Sequence, residues 1–335
     1  MIRPFDSHDA FHREFLAGLH RSLHSESLGA FILVLANSLQ HPLLRSALLD
    51  DLQTLYEKLY PAKWGADAVA DDIRVFERLA GSVIADMHPW TFHRNGLWTH
   101  VVNPMRALRP PRNASLKVER IERDFDADGF HFDKPYLASE VFGRLDIHGC
   151  DLTLMFNKFP YMPYHYLLVP ECSQRRPQLL EQSWLEFIWR LSGEVAGRID
   201  GAGFGYSSIG ACASVNHLHF QGFIYAEQLG VEDSRWSHNG GDQDYPVTCE
   251  RFTDMRACWE SIETLHSRQQ AYNLLFREGG CYLFVRRMQG SEGIAERLAG
   301  AGWCELSGVF NESHESDLTA LDEEQITEAL ATLKI

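Results

Sequence analysis

Ser214-Val215-Asn216-His217-Leu218-His219-Phe220-Gln221-Gly222-Phe223-Ile224-Tyr225 is the stretch from which the rest of the chain is best read. Alternation predicts a strand in which His217, His219, Gln221 and Phe223 share one face with Val215, while Leu218, Phe220 and Ile224 occupy the other. Two imidazoles and a carboxamide on one side of a strand are costly to bury without partners, since each brings donors and acceptors that need satisfying. Satisfied structural histidines are one solution, and a pocket holding a polar ligand is the other. The preceding Ser207–Ser214 run, SSIGACAS, is small enough for backbone N–H groups to approach phosphate oxygens. A zinc site needs further ligands at a recognisable spacing, and no nearby Cys or His provides them, so neither a metal nor any other cofactor is expected.

Outward from this strand the pattern is mixed. Residues 6 to 88 carry apolar residues at helical spacing in FHREFLAGL, LLRSALLDDLQTLYEKLY and DDIRVFERLAGSVIADM, which predicts a helical N-terminal lobe over residues 1–90. From 91 to 335 a second unit is expected. Short runs such as LWTHVV, LKVERIER, DLTLMF and YHYLLV, separated by Pro, Gly, Asn and Asp, read as antiparallel strands. PQLLEQSWLEFIWRLSGEVAGRI reads as a helix that starts near Pro177 and ends before Gly201. Strands in GYSSIGAC and SVNHLHFQGFIY and a helix near MRACWESIETLH follow, then strands in AYNLLF, CYLFVRR and GWCELSGVF and a last helix from about 322. The expected class is α+β, a mainly antiparallel sheet flanked by helices and built from two similar halves.

Composition bounds the function. The N-terminus lacks the apolar core of a signal peptide, and no stretch approaches eighteen uncharged apolar residues, so a soluble protein is expected. The seven cysteines form no C-x-x-C pair and are odd in number, which points to a reducing cytoplasmic setting. A formal charge of −15 disfavours nucleic acid and anionic membranes as partners, because both demand an extended positive surface. A small anion needs only a local cluster. Asn103–Arg112, NPMRALRPPR, holds Arg106, Arg109 and Arg112 with no acid among them. Arginine forks suit phosphate, and Pro110-Pro111 would stiffen the loop; a solvated basic turn is the other reading. His8 with His12, and His20 with His24, have i,i+4 spacing but lack the Glu of H-E-x-x-H and read as solvated helix faces.

Ser-x-x-His-x-His-x-Gln, here Ser214, His217, His219 and Gln221, resembles the active-site strand of the galactose-1-phosphate uridylyltransferase branch of the histidine-triad superfamily. Within that branch SVNHLHFQ is most similar to the GDP-hexose phosphorylases of the GDP-L-galactose and GDP-D-glucose type. Phe156–Pro170, FNKFPYMPYHYLLVP, resembles the superfamily's N-x-x-P-x-x-x-x-H-x-L-L-x-P pattern through Asn157, Pro160 and His165, while Asn157-Lys158-Phe159 is similar to the diadenosine tetraphosphate phosphorylases. The resemblance implies a nucleotidyl-histidine on His219, with His217 and Gln221 in the catalytic set. It places Ser214, Asn216, Asn157, Lys158, His165, Arg106 and Arg109 at the nucleotide and its phosphates, and makes Asn273 and Glu305 secondary pocket candidates. The partners it implies are a nucleotide donor and inorganic phosphate or a phosphorylated acceptor, with a homodimer left open.

A neutral imidazole is nucleophilic near pH 7, and the phosphoramidate it forms is reactive enough to pass the nucleotidyl group onward. The expected reaction moves a nucleoside monophosphate from a nucleoside diphosphate-hexose to phosphate. Diadenosine polyphosphate phosphorolysis, adenylyl sulfate:phosphate adenylyl transfer and nucleotide binding without turnover are the alternatives.

Overall fold

The computed structural model describes residues 4–60, 69–109, 117–320 and 322–335. Its helices are α1 (His8–Leu23), α2 (Leu28–Ser38), α3 (Pro42–Leu59), α4 (Ala70–Leu79), α5 (Pro104–Leu108), α6 (Gln182–Ala196), α7 (Met255–Ser267), α8 (Trp303–Leu306) and α9 (Glu323–Ala331). Its strands are β1 (Thr91–Asn95), β2 (Trp98–Val102), β3 (Val141–Ile147), β4 (Cys150–Phe156), β5 (Tyr166–Pro170), β6 (Ala202–Ser207), β7 (Phe220–Ile224), β8 (Thr248–Phe252), β9 (Tyr272–Arg277), β10 (Gly280–Val285) and β11 (Val309–Glu312). Among the described residues no helix is long and apolar enough to cross a membrane.

Among the described residues eight strands form one antiparallel sheet in the order β3-β4-β5-β7-β6-β9-β10-β8. Three strands thus flank the central β7–β6 pair on each side. The class is α+β, as the sequence pattern predicts. A second sheet, β1-β2-β11, contains a parallel pairing in which Val309 lies beside Thr99.

The first three helices are started by local chemistry. Ser7 and Ser27 cap α1 and α2 by accepting from the N–H groups of Ala10 and Ala30, and Pro42 opens α3. From Ala30 to Ser38 every residue of α2 is buried, the signature of a helix enclosed on all sides. These helices share the sheet's apolar core. Phe11 and Phe15 of α1 join Phe142, Phe156, Tyr164 and Tyr166, with ring centroids 4.9 Å apart for Phe15–Phe156 and 5.1 Å for Phe11–Tyr166. Gly18 lets α1 approach this closely, because a Cβ there would lie 2.8 Å from the Phe156 ring.

Several elements differ from the sequence expectation. The histidine strand begins at Phe220, so His217 and His219 precede β7 and alternation does not govern them. Their backbone is held by side chains and by a neighbouring loop: Leu218 N–H donates to the Arg176 carbonyl, and Gln178 takes both backbone groups of His219. The chain bends at Gln178, where Leu179 N–H donates to the Pro177 carbonyl, and α6 starts only at Gln182. Trp303–Leu306 is helical where a strand was expected, because Glu305 turns back to accept the Gly302 N–H. In LKVERIER the described residues, Lys117–Arg123, form no strand; the Val118 and Ile121 N–H groups donate to the Gln289 carbonyl and the Gln269 side chain.

Gly205 on β6 lies so close to Trp303 that a Cβ would enter the indole, whose ring stacks on Phe223 at 5.0 Å. Gly193 in α6 has open space around its Cβ position. Gly205→Ala is expected to lower unfolding free energy by about 1–3 kcal/mol. Gly193→Ala should raise it by roughly 0.5–1 kcal/mol, through helix propensity. Urea denaturation of the two variants checks the contrast.

Candidate active site

β4, β5 and β7 bring the ends of the two sequence motifs together at the rim of one cavity of about 840 Å³. His219, Gln221, Ser214, Asn157, Lys158, Arg106, Arg109 and Glu305 all line it. His217, Asn216, His165 and Asn273 are not among the residues that line it. Pro110, Pro111 and Arg112 lie outside the described residues.

His219 is held from both sides of its backbone. Gln178 Oε1 accepts its N–H at 2.8 Å, while Gln178 Nε2 donates to its carbonyl at 3.2 Å and to that of Ser207 at 3.0 Å. The ring is then oriented by His217, whose backbone carbonyl lies 2.8 Å from His219 Nδ1. A carbonyl only accepts, so the Nδ1 nitrogen carries the proton. In the neutral ring the lone pair is therefore at Nε2, the nitrogen a nucleophile needs. Phe132 meets the ring edge-on at 5.0 Å.

The His217 ring faces the other way. Its Nδ1 accepts the Phe132 N–H at 3.1 Å and its plane stacks on the Phe132 ring at 5.6 Å. Burial pushes its pKa down to about 4, with His219 and His131 acting in the same direction. Asn216 uses its whole amide within the protein: Oδ1 accepts from Gln178 N–H at 2.9 Å, and Nδ2 donates to the Asp124 carbonyl at 2.7 Å.

Gln221 is oriented by two donors. His165 Nδ1 accepts the Tyr161 N–H at 3.3 Å, which puts the proton on Nε2, and that group donates to Gln221 Oε1 at 3.1 Å. The Tyr161 hydroxyl donates to the same oxygen. With Oε1 occupied, the NH2 end of Gln221 is the one with donors to offer the cavity. Complete burial drives the His165 pKa down to about 3, opposed by its bond to Gln221 and reinforced by Arg106 and Arg109.

The cations of the cavity wall come from the α5 segment, which carries Arg106 and Arg109, and from Lys158 in the turn after β4. Asn103, ahead of α5, donates to the Pro160 carbonyl at 2.9 Å, and Arg106 lies over the Tyr161 ring at 5.3 Å. Asn157 Oδ1 accepts the Phe159 N–H at 3.0 Å and shapes the turn that presents Lys158. Lys158 Nζ pairs with Asp72 of α4 at 2.6 Å. Asn273 donates to Ser207 Oγ at 2.7 Å and to the Ala211 carbonyl at 3.1 Å, fixing the turn that carries Cys212 into the cavity wall. Glu305 is raised from the usual carboxylate range by burial.

Sequence reasoning did not single out Gln178, Tyr161, Asp72 or Glu140. Tyr161 lies inside the quoted 156–170 run and had a signal available, a phenol four residues before His165. The other three reach the site from distant segments and carry no motif. Among the described residues no group of three His, Cys, Asp or Glu side chains is arranged to hold a metal ion.

The fold is similar to that of yeast Ap4A phosphorylase, whose crystal structures superpose with a TM-score of 0.52 at 15% identity without ligand, and 0.52 at 16% identity with AMP bound. The first covers 79% of this chain and 95% of the yeast chain. Residues 100–223 match the family described as GDPGP1-like, N-terminal domain, and sequence similarity to GDP-hexose phosphorylases extends over part of the chain. Human GDP-D-glucose phosphorylase 1 is 32% identical over 134 residues, 38% of this chain and 33% of that protein. GDP-L-galactose phosphorylase 2 of Arabidopsis thaliana is 28% identical over 144 residues, 36% of this chain and 32% of that protein. The matched stretch spans about a third of the length of these relatives.

The depressed His165 and His217 values have a definite sign. Below the ordinary histidine value of 6.5 the unfolded chain takes up protons that these folded rings refuse, so stability is full above pH 6.5 and falls with acidification toward pH 4. Imidazole nitrogen NMR at pH 5.5 should show both rings neutral with the proton on Nε2. A charged ring at that pH would contradict the burial described here.

Proposed function

We propose that the protein is a nucleotidyltransferase of the phosphorylase type, which moves a nucleoside monophosphate from a nucleoside diphosphate-hexose to inorganic phosphate. The observation that carries this reading is the hydrogen bond from His219 Nδ1 to the His217 carbonyl, which leaves the lone pair on Nε2 of a cavity-lining ring. The reaction has two displacements. His219 Nε2 attacks the α-phosphorus, a P–N bond forms, the P–O bond to the β-phosphate breaks, and hexose 1-phosphate leaves as a stabilised anion. An oxygen of inorganic phosphate then attacks the same phosphorus, the P–N bond breaks, and the nucleoside diphosphate leaves with the lone pair returned to Nε2.

Gln221 offers amide N–H donors to a non-bridging oxygen as charge shifts, while Arg106, Arg109 and Ser214 attend the phosphates. A carboxamide does not act as a general base, so water gains no activation from the position that carries a third histidine in triad hydrolases. The names of the curated relatives, GDP-D-glucose and GDP-L-galactose phosphorylases, support the sugar-nucleotide donor. A dinucleoside polyphosphate is the second reading, favoured by Lys158 in the cavity wall. A cytoplasmic setting is consistent with seven cysteines that are all free.

Incubation with a sugar nucleotide and no acceptor should add one nucleoside monophosphate to the protein, labile to acid and stable to base, and mapping to His219 by mass spectrometry. His219→Ala should lower kcat/KM by roughly a thousand-fold or more. Gln221→His should raise the ratio of hydrolysis to phosphorolysis, read by comparing water and phosphate as acceptors. Turnover by His219→Ala within a few-fold of the parent would sink the covalent route.

A further inference from the structure

We infer that Asp72 sets the donor class: it cancels Lys158 as a receptor for additional phosphates and, with Glu140, turns this part of the cavity toward the hydroxyls of a neutral sugar. The inference rests on the reading of the cavity as a nucleotide-donor site. Asp72 lies in α4, outside the 100–223 segment that the family match covers.

The pair is built into the cavity wall. Lys158 Nζ and Asp72 Oδ1 are 2.6 Å apart, and their side chains are only 22% and 11% exposed. At such burial an ion pair is little weakened by water, so a lysine held this way has little net charge to offer an incoming anion. Room for it is made by Gly29 in the first turn of α2, where a Cβ would lie 2.8 Å from Asp72 Oδ2 and 3.3 Å from Lys158 Nζ. Glu140 stands in the same wall and feels both partners, its carboxyl raised to about 7 chiefly by burial.

The surrounding charges point the same way. Glu26, Asp71, Asp72 and Glu140 all line the part of the cavity where α2 and α4 supply the wall, and Lys158 is the cation among them. Glu26 pairs with Lys58 and Asp71 with Arg74, cations that do not line the cavity. Arg106 and Arg109 of the α5 segment are suited to the two phosphates of a sugar nucleotide. A third and fourth phosphate would have to enter beside carboxylates, whereas sugar hydroxyls donate to carboxylate oxygens without adding charge.

The test titrates the parent, Asp72→Asn, Lys158→Met and the double variant calorimetrically with the diphosphate and the tetraphosphate of one nucleoside, using guanosine and adenosine in parallel. In the parent the tetraphosphate should bind no more than about three-fold tighter than the diphosphate, and Lys158→Met should leave that ratio within about two-fold. Asp72→Asn should shift the ratio by about ten-fold or more toward the tetraphosphate, and adding Lys158→Met should abolish the shift. An unchanged ratio in a folded Asp72→Asn protein overturns the inference, as does a shift that survives in the double variant. If Asp72→Asn does not fold, Lys158→Met decides alone: loss of a strong tetraphosphate preference on that substitution overturns it. Phosphorolysis is scored separately. A parent that turns over no sugar nucleotide, yet shows the ratio shift, fails the proposed reaction and keeps the role of Asp72; binding of neither nucleotide to any protein overturns both.

Discussion

The site depends on which nitrogen of one imidazole faces the cavity, and a single backbone carbonyl decides it. Nδ1 of His219 donates to the His217 carbonyl only if residues 217–219 hold a shape that no regular strand imposes on them. The surrounding polar side chains supply that shape. Gln178 saturates the His219 backbone, Asn216 ties Gln178 to the 123–124 segment, and Tyr206 donates to the Gln178 carbonyl at 3.2 Å. Gln178 is itself 1% exposed, so an unpaired amide there would carry a full desolvation penalty. Correct tautomer and stable packing are therefore the same condition.

A second chain of hydrogen bonds joins the helical N-terminal segment to the chemistry. Gln40 Oε1 accepts the His165 N–H at 3.2 Å while its Nε2 donates to Asn37, and Asn37 donates to the Asn157 carbonyl at 2.9 Å. His165 in turn orients Gln221. The sheet supplies the positions, and Asn37 of α2 with Gln40 just beyond it supplies the restraint. Arg106, stacked over Tyr161, links the cationic side of the cavity to the same network.

Pattern in the sequence was enough to read most of the sheet and the helices, because the short apolar runs of β4, β5, β9 and β10, buried along nearly their whole length, and the three-four spacing in α1, α3 and α7 report burial directly. The motif residues also came together: His219, Gln221, Ser214, Asn157, Lys158, Arg106 and Arg109 line one cavity. What alternation misplaced was the start of β7, because side-chain hydrogen bonds from residues some forty positions away replaced the sheet ladder at His219. The helical turn at Trp303 escaped for a similar reason, since an apolar run bounded by glycines is compatible with either state until Glu305 caps it. Gln178, Asp72 and Glu140 were invisible because their meaning lies in what they touch, and a glutamine or a carboxylate in isolation carries no periodic or motif signal.

The reach of α2 into the network has an evolutionary side. Residues 100–223 contain His219 and the recognisable motif, yet that segment is not a cassette that recombination could move intact into another protein. Transplanted without Asn37 and Gln40, it would expose the Asn157 carbonyl and the His165 N–H as orphaned groups beneath Gln221. The recipient would have to reinvent a buried amide pair at the correct height above the sheet before the inherited histidine regained its setting. Descent in this architecture is thus constrained to carry a helix whose sequence shows no trace of the motif it serves.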